Sequence, residues 1–97
     1  MEMIPVVKLA LRISPSNAEF DEEVQTLIDA ARLDLKQAGI SSELVDAIEP
    51  DALIKRAIIT YCKAHFGYDN PEADRFNDAY IMLKQHLSLY GDYQDEA

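Results

Sequence analysis

One apolar stripe at helical spacing constrains the fold more than any other feature of this sequence. Its members recur every three or four residues, and they are Phe20, Val24, Leu27, Ile28, Ala31 and Leu35. This spacing places all of them on one side of an α-helix over about residues 18–38, and the helix must bury that side against a core. Acids crowd its first turns while Arg32 and Lys36 lie near its end, which complements the helix dipole.

Residues that begin and end helices bracket this segment and three others. Ser16 or Asn17 suits an N-cap, and Gly39 suits the left-handed residue that follows a helix. A Ser-Pro pair at residues 14–15 suits the end of an earlier, short helix. The sequence therefore predicts four helices, with approximate bounds at residues 5–11, 18–38, 51–66 and 70–89.

The third and fourth predicted helices each carry an apolar stripe of their own. The members are Ile54, Ala57, Ile58, Tyr61 and His65 in the third helix, and Phe76, Ala79, Tyr80, Leu83, Leu87 and Tyr90 in the fourth. Ile59 and Phe66 widen the apolar arc of the third helix, as expected for the central helix of a bundle. Ile81 and Leu89 lie nearly opposite the stripe of the fourth helix, so their exposure would indicate a second contact surface.

The segment between the second and third helices is acidic. It covers residues 40–51, has no base, and contains Glu43, Asp46, Glu49 and Asp51. Ser41 or Ser42 suits the cap of one or two helical turns, so we expect a connector with a short helix. Its like charges should leave it solvated or facing a cavity.

The last residues, 90–97, are expected to form a free acidic tail. Together these patterns predict a single all-α domain over residues 1–97. Its architecture is a small bundle of about four helices, one short and three longer, with a short acidic connector and a flexible C-terminal tail.

Charge and cysteine content exclude several classes of protein. The formal net charge is −9 over 97 residues, which disfavours a protein that grips nucleic acid or an anionic membrane surface. No segment approaches the ~18 apolar residues of a membrane span, and the N-terminus does not look like a signal peptide. Because Cys62 is the only cysteine, no internal disulfide is possible, and we expect a protein made in a reducing cytoplasm.

Candidate catalytic side chains are few, and each has a structural explanation. His65 lies on an apolar stripe, where a core or half-buried histidine is more common than a catalytic one, and His86 has no stronger claim. Cys62 neighbours the same stripe, but Lys63 points about 100° away from it on a helix. A buried thiol is therefore favoured over a nucleophile. The acids do not follow the alternation of a calcium loop, so we predict no catalytic residue, cofactor or metal.

The stretch HFGYDNPEADRF predicts a tight corner between two helices. Gly67 suits the left-handed residue that ends one helix, and Asn70 followed by Pro71 suits the start of the next. In an alternative frame Asp69 and Glu72 form a capping-box pair. Either frame explains nearly every residue of the stretch.

Two residues of the corner lack such a local explanation, namely Tyr68 and Arg75. Both lie within residues 51–93, a run that carries a longer pattern. The pattern consists of Tyr-x-Lys-Ala-x-Phe-Gly at residues 61–67, Tyr-Asp-Asn-Pro-Glu-Ala at residues 68–73, and Leu-Lys-x-His-Leu-Ser-Leu at residues 83–89. A short helix, an acidic helix and an Ala-Gly-Ile turn precede it in order. In these features the chain resembles the head-tail connector, or adaptor, proteins of tailed bacteriophages and prophages.

The resemblance implies a small, non-enzymatic α-helical protein that assembles into a homo-oligomeric ring beneath the portal protein. We expect this ring to be twelvefold on the portal. It would extend the DNA channel, complete the DNA-filled head and provide the docking platform for a tail-completion or stopper protein. DNA would pass through without specific binding. The protein would be assembled in the bacterial cytoplasm and reside at the head-tail interface of the virion.

The resemblance and the helical pattern together suggest two sets of functional residues. We expect contacts with a neighbouring subunit or the portal at Tyr68, Asp69, Arg75, Ile81, Leu89, Tyr90 and Tyr93. We expect channel-facing acids at Glu43, Asp46, Glu49 and Asp51, or in the acid cluster of the second helix. A closed ring needs two different complementary surfaces on each subunit. The polar face of the second helix and the Ile81 side of the fourth are candidates, and residues 88–97 are expected to order on meeting the portal.

Two other hypotheses follow from the residues. A small prophage regulator would bind DNA through a helix-turn-helix formed by the third and fourth helices, but the fourth offers only Arg75 and Lys84 against Glu72, Asp74 and Asp78. An enzyme or metal protein would be centred on the two histidines.

Overall fold

The helices follow one another with short connections in a computed structural model that describes residues 3–67 and 70–94. They are α1 (Met3–Ala10), α2 (Asp21–Gln37), α3 (Ser42–Val45), α4 (Ala52–His65) and α5 (Ala73–Leu89). Short 3-10 helices at Ala18–Phe20 and Gly91–Tyr93 precede α2 and follow α5. These two ranges contain no strand, so the all-α prediction is confirmed, with the connector supplying a one-turn fifth helix.

The core is built around α4, which packs against α1, α2 and α5. The fully buried residues of α4 are Ile54, Ala57, Ile58 and Cys62. Those of α2 are Val24, Ile28, Ala31 and Leu35, which confirms the stripe predicted for that helix. α1 and α5 cover the remaining sides with Met3, Val7, Tyr80 and Leu87.

The C-terminal end of α2 is closed as its sequence predicts. Gly39 has a φ of +94°, and its N–H donates to the carbonyl of Lys36 at 3.0 Å while the N–H of Ile40 donates to that of Leu35 at 3.2 Å. This pair of bonds is the Schellman motif, which satisfies the last free carbonyls of a helix. At the other end, the Asn17 side chain accepts a hydrogen bond from the N–H of Glu19, so Asn17 is the N-cap of the 3-10 turn that leads into α2.

α1 ends with the same motif but without a glycine. Arg12 has a φ of +63°, its N–H donates to the carbonyl of Leu9 at 3.1 Å, and the N–H of Ile13 donates to that of Lys8 at 2.8 Å. The prediction that the Ser-Pro pair stops this helix was wrong, because α1 has already closed at its own left-handed residue. An arginine in this conformation carries backbone strain that a glycine would not.

A single asparagine organises the corner between α4 and α5. The Nδ2 of Asn70 donates to the carbonyl of Lys63 at 2.6 Å, and its Oδ1 accepts from the N–H of Glu72 at 3.0 Å. Asn70 therefore caps the end of α4 and the turn that leads into α5. The prediction that Asn70 is the N-cap of α5 with Pro71 as its first residue was wrong, because α5 begins at Ala73 and its N-cap is Glu72. Gly67 is left-handed as predicted, with a φ of +84°. The alternative capping box involves Asp69, which lies outside the described residues.

The C-terminal segment is not a free tail as far as Gln94. The N–H of Ser41 donates to the carbonyl of Tyr93 at 2.6 Å, an antiparallel bridge joins Ile40 to Gln94, and the Gln94 side chain donates to the carbonyl of Ser88 at 2.7 Å. The expectation that residues 88–97 are flexible until they meet the portal is thus wrong for residues 88–94. Backbone hydrogen bonding to the turn after α2 orders them within the single chain.

Three residues assigned to core stripes are exposed instead. Ala79 and Tyr90 of the α5 stripe and His65 of the α4 stripe face solvent. The reason is that α5 covers only one side of α4, so the edges of both stripes extend beyond the helix–helix contact. Ile81 and Leu89 are exposed as predicted, at 37% and 82% of their surface.

None of the helices in the described ranges combines the length and apolar character that crossing a membrane requires.

Candidate interaction surface

The exposed apolar side chains concentrate on and beside α5. Met82, Leu89 and Tyr90 expose 70%, 82% and 51% of their surface. Concave surfaces adjoin this helix, among them one between α4 and α5, one between α2 and α5, and one at the C-terminal end of α5. An exposed apolar patch of this kind marks a contact surface for another molecule.

The largest concave surface, here called the α4/α5 groove, has a volume of about 550 Å³. Its apolar lining consists of Ile59, Phe76, Ala79, Met82 and Leu83. Its polar lining consists of Arg56, Thr60, Lys63 and His86. Successive helical residues are about 100° apart, so Arg56 and Lys63 project from the side of α4 opposite to Ile54 and Ile58. The groove therefore faces away from the core that α4 shares with α2.

The charge of the α4/α5 groove is opposite to that of the chain as a whole. No described carboxylate lines it, and neither Arg56 nor Lys63 forms an ion pair with a residue in the described ranges. The Lys63 Nζ lies 5.4 Å from the centroid of the Phe76 ring, a cation–π contact that keeps the ammonium group beside the apolar floor. An anionic group with apolar neighbours is the matching ligand for this surface.

The surface between α2 and α5 is built around a buried hydrogen-bond cluster. Tyr80, only 2% exposed, donates its hydroxyl to Asp34 Oδ2 at 2.5 Å, and Lys84 Nζ donates to the same oxygen at 3.0 Å. Burial opposes ionisation of Asp34, but these two bonds lower the pKa of its carboxyl below the usual value. Burial and the bond to Asp34 raise the pKa of Tyr80. Ile81 borders this cluster.

The third surface gathers aromatic side chains at the C-terminal end of α5. Tyr90 lies 5.6 Å from the His86 ring and 6.1 Å from the Tyr93 ring, centroid to centroid. Leu44 of α3 and Leu53 of α4 line the same hollow. Tyr90 and Tyr93, predicted separately as contact residues, are thus brought together, and the docked C-terminal segment holds them in place.

Arg75 has a local role that its sequence did not reveal. Its guanidinium pairs with Glu72 at 2.7 Å and stacks over the ring of Phe76, 5.1 Å from the centroid. Arg75 remains mostly exposed, so these contacts fix its orientation rather than bury it. The neighbouring contact predictions, Tyr68 and Asp69, lie outside the described residues.

The four acids predicted to face the channel are all exposed, and the partners of Asp46 and Asp51 are defined by the fold. Glu43, Asp46, Glu49 and Asp51 are solvent-facing. Asp46 pairs with Lys36 of α2 at 2.9 Å, and Asp51 caps α4 by accepting from the N–H groups of Leu53 and Ile54.

The acidic connector is also held by a second base of α2. Arg32 donates from Nε to the carbonyl of Val45 and from its NH2 nitrogen to that of Ala47, both at 3.2 Å. The connector has no base of its own, but α2 supplies Arg32 and Lys36 to it. The acids themselves are exposed, in line with the expectation of a solvated segment, but sequence spacing could not show that α2 lies beneath it.

The candidate catalytic groups do not form a site. Cys62 is fully buried, and burial raises the pKa of its thiol to about 12, so the prediction of a buried thiol is confirmed. His65 stacks on Tyr61 with ring centroids 4.3 Å apart. His86 lies apart from it, at the α4/α5 groove. No group of three or more His, Cys, Asp or Glu side chains in the described ranges could hold a metal ion.

The burial of the Lys8 side chain was not predicted. Lys8 is 3% exposed, and its Nζ donates to the carbonyls of Pro15 and Asn17 at 3.3 and 2.7 Å and to Asp21 Oδ1 at 2.7 Å. These bonds pin the loop between α1 and α2. In the sequence, Lys8 looks like a solvated residue of a short helix, because local spacing does not show that the following loop covers it.

Comparison with known proteins identifies a family. A family model described as "Phage connector protein" matches residues 3–94, nearly the whole chain. Comparisons with curated proteins and with solved structures found no match.

Proposed function

The chain belongs to the phage connector protein family, and from this membership we propose that it forms a ring beneath the portal at the vertex of a tailed phage head. The family makes the protein a virion component with a head-tail connector role and with other phage head and tail proteins as partners. It also indicates a structural rather than a catalytic role. The ring would extend the DNA channel, complete the DNA-filled head and present the platform on which a tail or stopper protein docks.

The observation that best supports a ring is the presence of unlike exposed surfaces on one subunit. The α4/α5 groove is apolar with cationic edges, whereas α2 begins with Asp21, Glu22 and Glu23. A closed ring of identical subunits joins two different complementary patches on each copy. These two surfaces have the opposite charges that such a contact requires.

The net charge supports a channel that does not retain DNA. At −9, the subunit offers few phosphate contacts, and each such contact would resist sliding. We propose that the exposed acids Glu43 and Glu49, together with Asp46 and Asp51, face the lumen. Asp46 and Asp51 remain exposed although Asp46 pairs with Lys36 and Asp51 caps α4.

The aromatic cluster at the end of α5 is our candidate contact with the portal or with a neighbouring subunit. It contains Tyr90 and Tyr93 beside His86, and aromatic side chains are enriched in protein interfaces. The exposed Leu89 precedes Tyr90 in the chain and is a further proposed contact. Arg75 and Ile81 would extend the contact along α5, and Tyr68 and Asp69 are retained as proposed members.

A DNA-binding regulator fits the described surface less well. A recognition helix needs exposed bases that reach phosphates and base edges. The exposed side of α5 instead carries Asp74 and Asp78, and Arg75 is paired with Glu72.

Negative-stain imaging of the protein mixed with the portal protein of the same phage tests the proposal. We expect portal particles with an added ring of density coaxial with the channel. Bare portal particles at a large excess of the protein would contradict the proposed function, and a salt-dependent gel shift with duplex DNA would support the regulator instead.

A further inference from the structure

We propose that the α4/α5 groove receives the outer face of α2 from a second copy of this chain. The outer face of α2 is defined here by Glu22, Thr26, Asp29 and Leu33. The docking contact is the lateral contact within the proposed ring, and it depends on that function.

The groove specifies what its occupant must contain. Its floor is apolar and includes Met82, which exposes 70% of its surface in the single chain. Its edges carry Arg56 and Lys63, which have no ion-pair partner among the described residues. An occupant must therefore bring at least one apolar side chain flanked by carboxylates, because burying unpaired cations is costly.

The outer face of α2 has this composition at the right spacing. Residues 22, 26, 29 and 33 recur at intervals of three and four and so share one side of the helix. Leu33 exposes 55% of its surface and is the apolar residue of an otherwise polar helix face. Glu22 forms no ion pair with a described residue. Asp29 accepts a hydrogen bond from the Gln25 side chain at 2.8 Å and forms no ion pair within the described ranges. With Leu33 placed against Met82, the two carboxylates lie along the same helix face and can reach the cationic edge.

Electrostatics also select the mode of association. Two grooves facing each other would bring Arg56 and Lys63 of both copies together, and two α2 faces would do the same with their acids. Like charges held together at an interface cost several kcal/mol, so only the groove-to-α2 arrangement is favourable. This contact is head-to-tail, and a head-to-tail contact closes a ring when the rotation between neighbouring subunits divides a full turn evenly.

The two surfaces lie on different sides of the subunit, as a head-to-tail contact needs. α4 turns Ile54 and Ile58 toward the core that it shares with α2, while Arg56 and Lys63 project on its opposite side. The residues of the α2 outer face lie opposite the buried Val24, Ile28, Ala31 and Leu35 of their own helix. One copy can therefore donate α2 to one neighbour and accept α2 from another.

Charge reversal gives a direct test in the full-length chain. Two double variants reverse the charges, Arg56→Glu/Lys63→Glu in the groove and Glu22→Lys/Asp29→Lys on α2. Each should raise the protein concentration at which assembly on the portal is half complete by about tenfold or more. Combining all four substitutions should restore assembly. Lys55→Glu, outside both surfaces, is the control for the single variant Arg56→Glu, and it should assemble normally whereas Arg56→Glu should not. Equal losses in Lys55→Glu and Arg56→Glu, or no rescue in the combined variant, would overturn the contact.

Cross-linking with a short bis-maleimide distinguishes the pairing mode. Cys62 is buried, so the cross-linker reacts with the introduced thiols and not with Cys62. A mixture of Met82→Cys and Leu33→Cys chains should give a covalent dimer, whereas each single variant alone should give none. The variant that carries both cysteines should give a ladder of covalent oligomers. A dimer from Met82→Cys alone indicates groove-to-groove pairing and overturns the proposal. Rings visible on portal without any Leu33–Met82 cross-link also overturn it but leave the proposed function intact, whereas failure of the wild type to bind portal removes the function itself.

Discussion

The hydroxyl of Tyr80 on α5 donates a hydrogen bond to Asp34 Oδ2 on α2 at 2.5 Å. Lys84 donates to the same oxygen one turn further along α5. α2 and α5 are thereby fixed to each other through a carboxylate that is partly exposed. The α2 outer face and the α4/α5 groove belong to one rigid unit for this reason, and their relative orientation sets the angle between successive subunits in the proposed ring.

Removing the Tyr80 hydroxyl should lower stability. Tyr80→Phe leaves Asp34 with one bond fewer, and a hydrogen bond to a charged group contributes about 1.5–3 kcal/mol. The partial exposure of Asp34 allows water to replace some of this, so we expect the lower end of that range, measured by urea unfolding. Tyr61→Phe is the matched control, because its hydroxyl forms no hydrogen bond with a described residue. An equal loss in both variants would contradict the role of the Tyr80 bond.

The same cluster predicts a dependence of stability on acid pH. The pKa of Asp34 is lower in the folded protein than its ordinary value of 3.8, so its ionised form stabilises the fold. That contribution to the free energy of unfolding is complete at pH values above 3.8, and it is lost as the pH falls through the pKa of Asp34 in the folded protein. The stability difference between wild type and Asp34→Asn, followed by thermal unfolding, should be constant near neutral pH and shrink below 3.8. A difference that grows on acidification would contradict the direction of the shift.

The left-handed residue after α2 should be sensitive to substitution. A Cβ at Gly39 would touch nothing within 4 Å, so any cost of Gly39→Ala comes from its φ of +94°. We expect a loss of about 1–2 kcal/mol in the free energy of unfolding. Gly91→Ala is the control, since Gly91 also has open space around its Cβ position and lacks a left-handed φ. Equal effects at both sites would show that backbone conformation is not the cause.

Cys62 should be inert in the folded protein. It has no exposed surface, and burial raises the pKa of its thiol to about 12, so the reactive thiolate is scarce at neutral pH. Titration with a chromogenic disulfide should find almost no reaction at pH 8 in buffer and one thiol per chain in denaturant. Rapid labelling of the native protein would show that α4 opens far more readily than its packing implies.

Patterns within single helices predicted most of the fold. The α2 stripe, its closure at Gly39 and the burial of Cys62 depend on neighbours a few residues away, and the structure bears them out. The docking of residues 90–94 against Ile40 and the burial of Lys8 depend on parts of the chain that meet only after folding. Local spacing carries no information about such encounters.

The candidate surface was predictable only in part, for the same reason. Ile81 and Leu89 lie nearly opposite the apolar stripe of the fourth helix, and this position correctly identified them as exposed. The α4/α5 groove was missed because it combines residues of two helices, and Arg56 and Lys63 look like ordinary solvated bases in the sequence. Their significance depends on Met82 and Phe76 lying beside them.

Native mass spectrometry of the protein bound to its portal tests the central claim most directly. The proposed function predicts a complex whose added mass is a whole number of subunits matching the symmetry of the portal, with few partly filled species because ring closure is cooperative. A protein that stays monomeric at high concentration and adds no mass to the portal would contradict it.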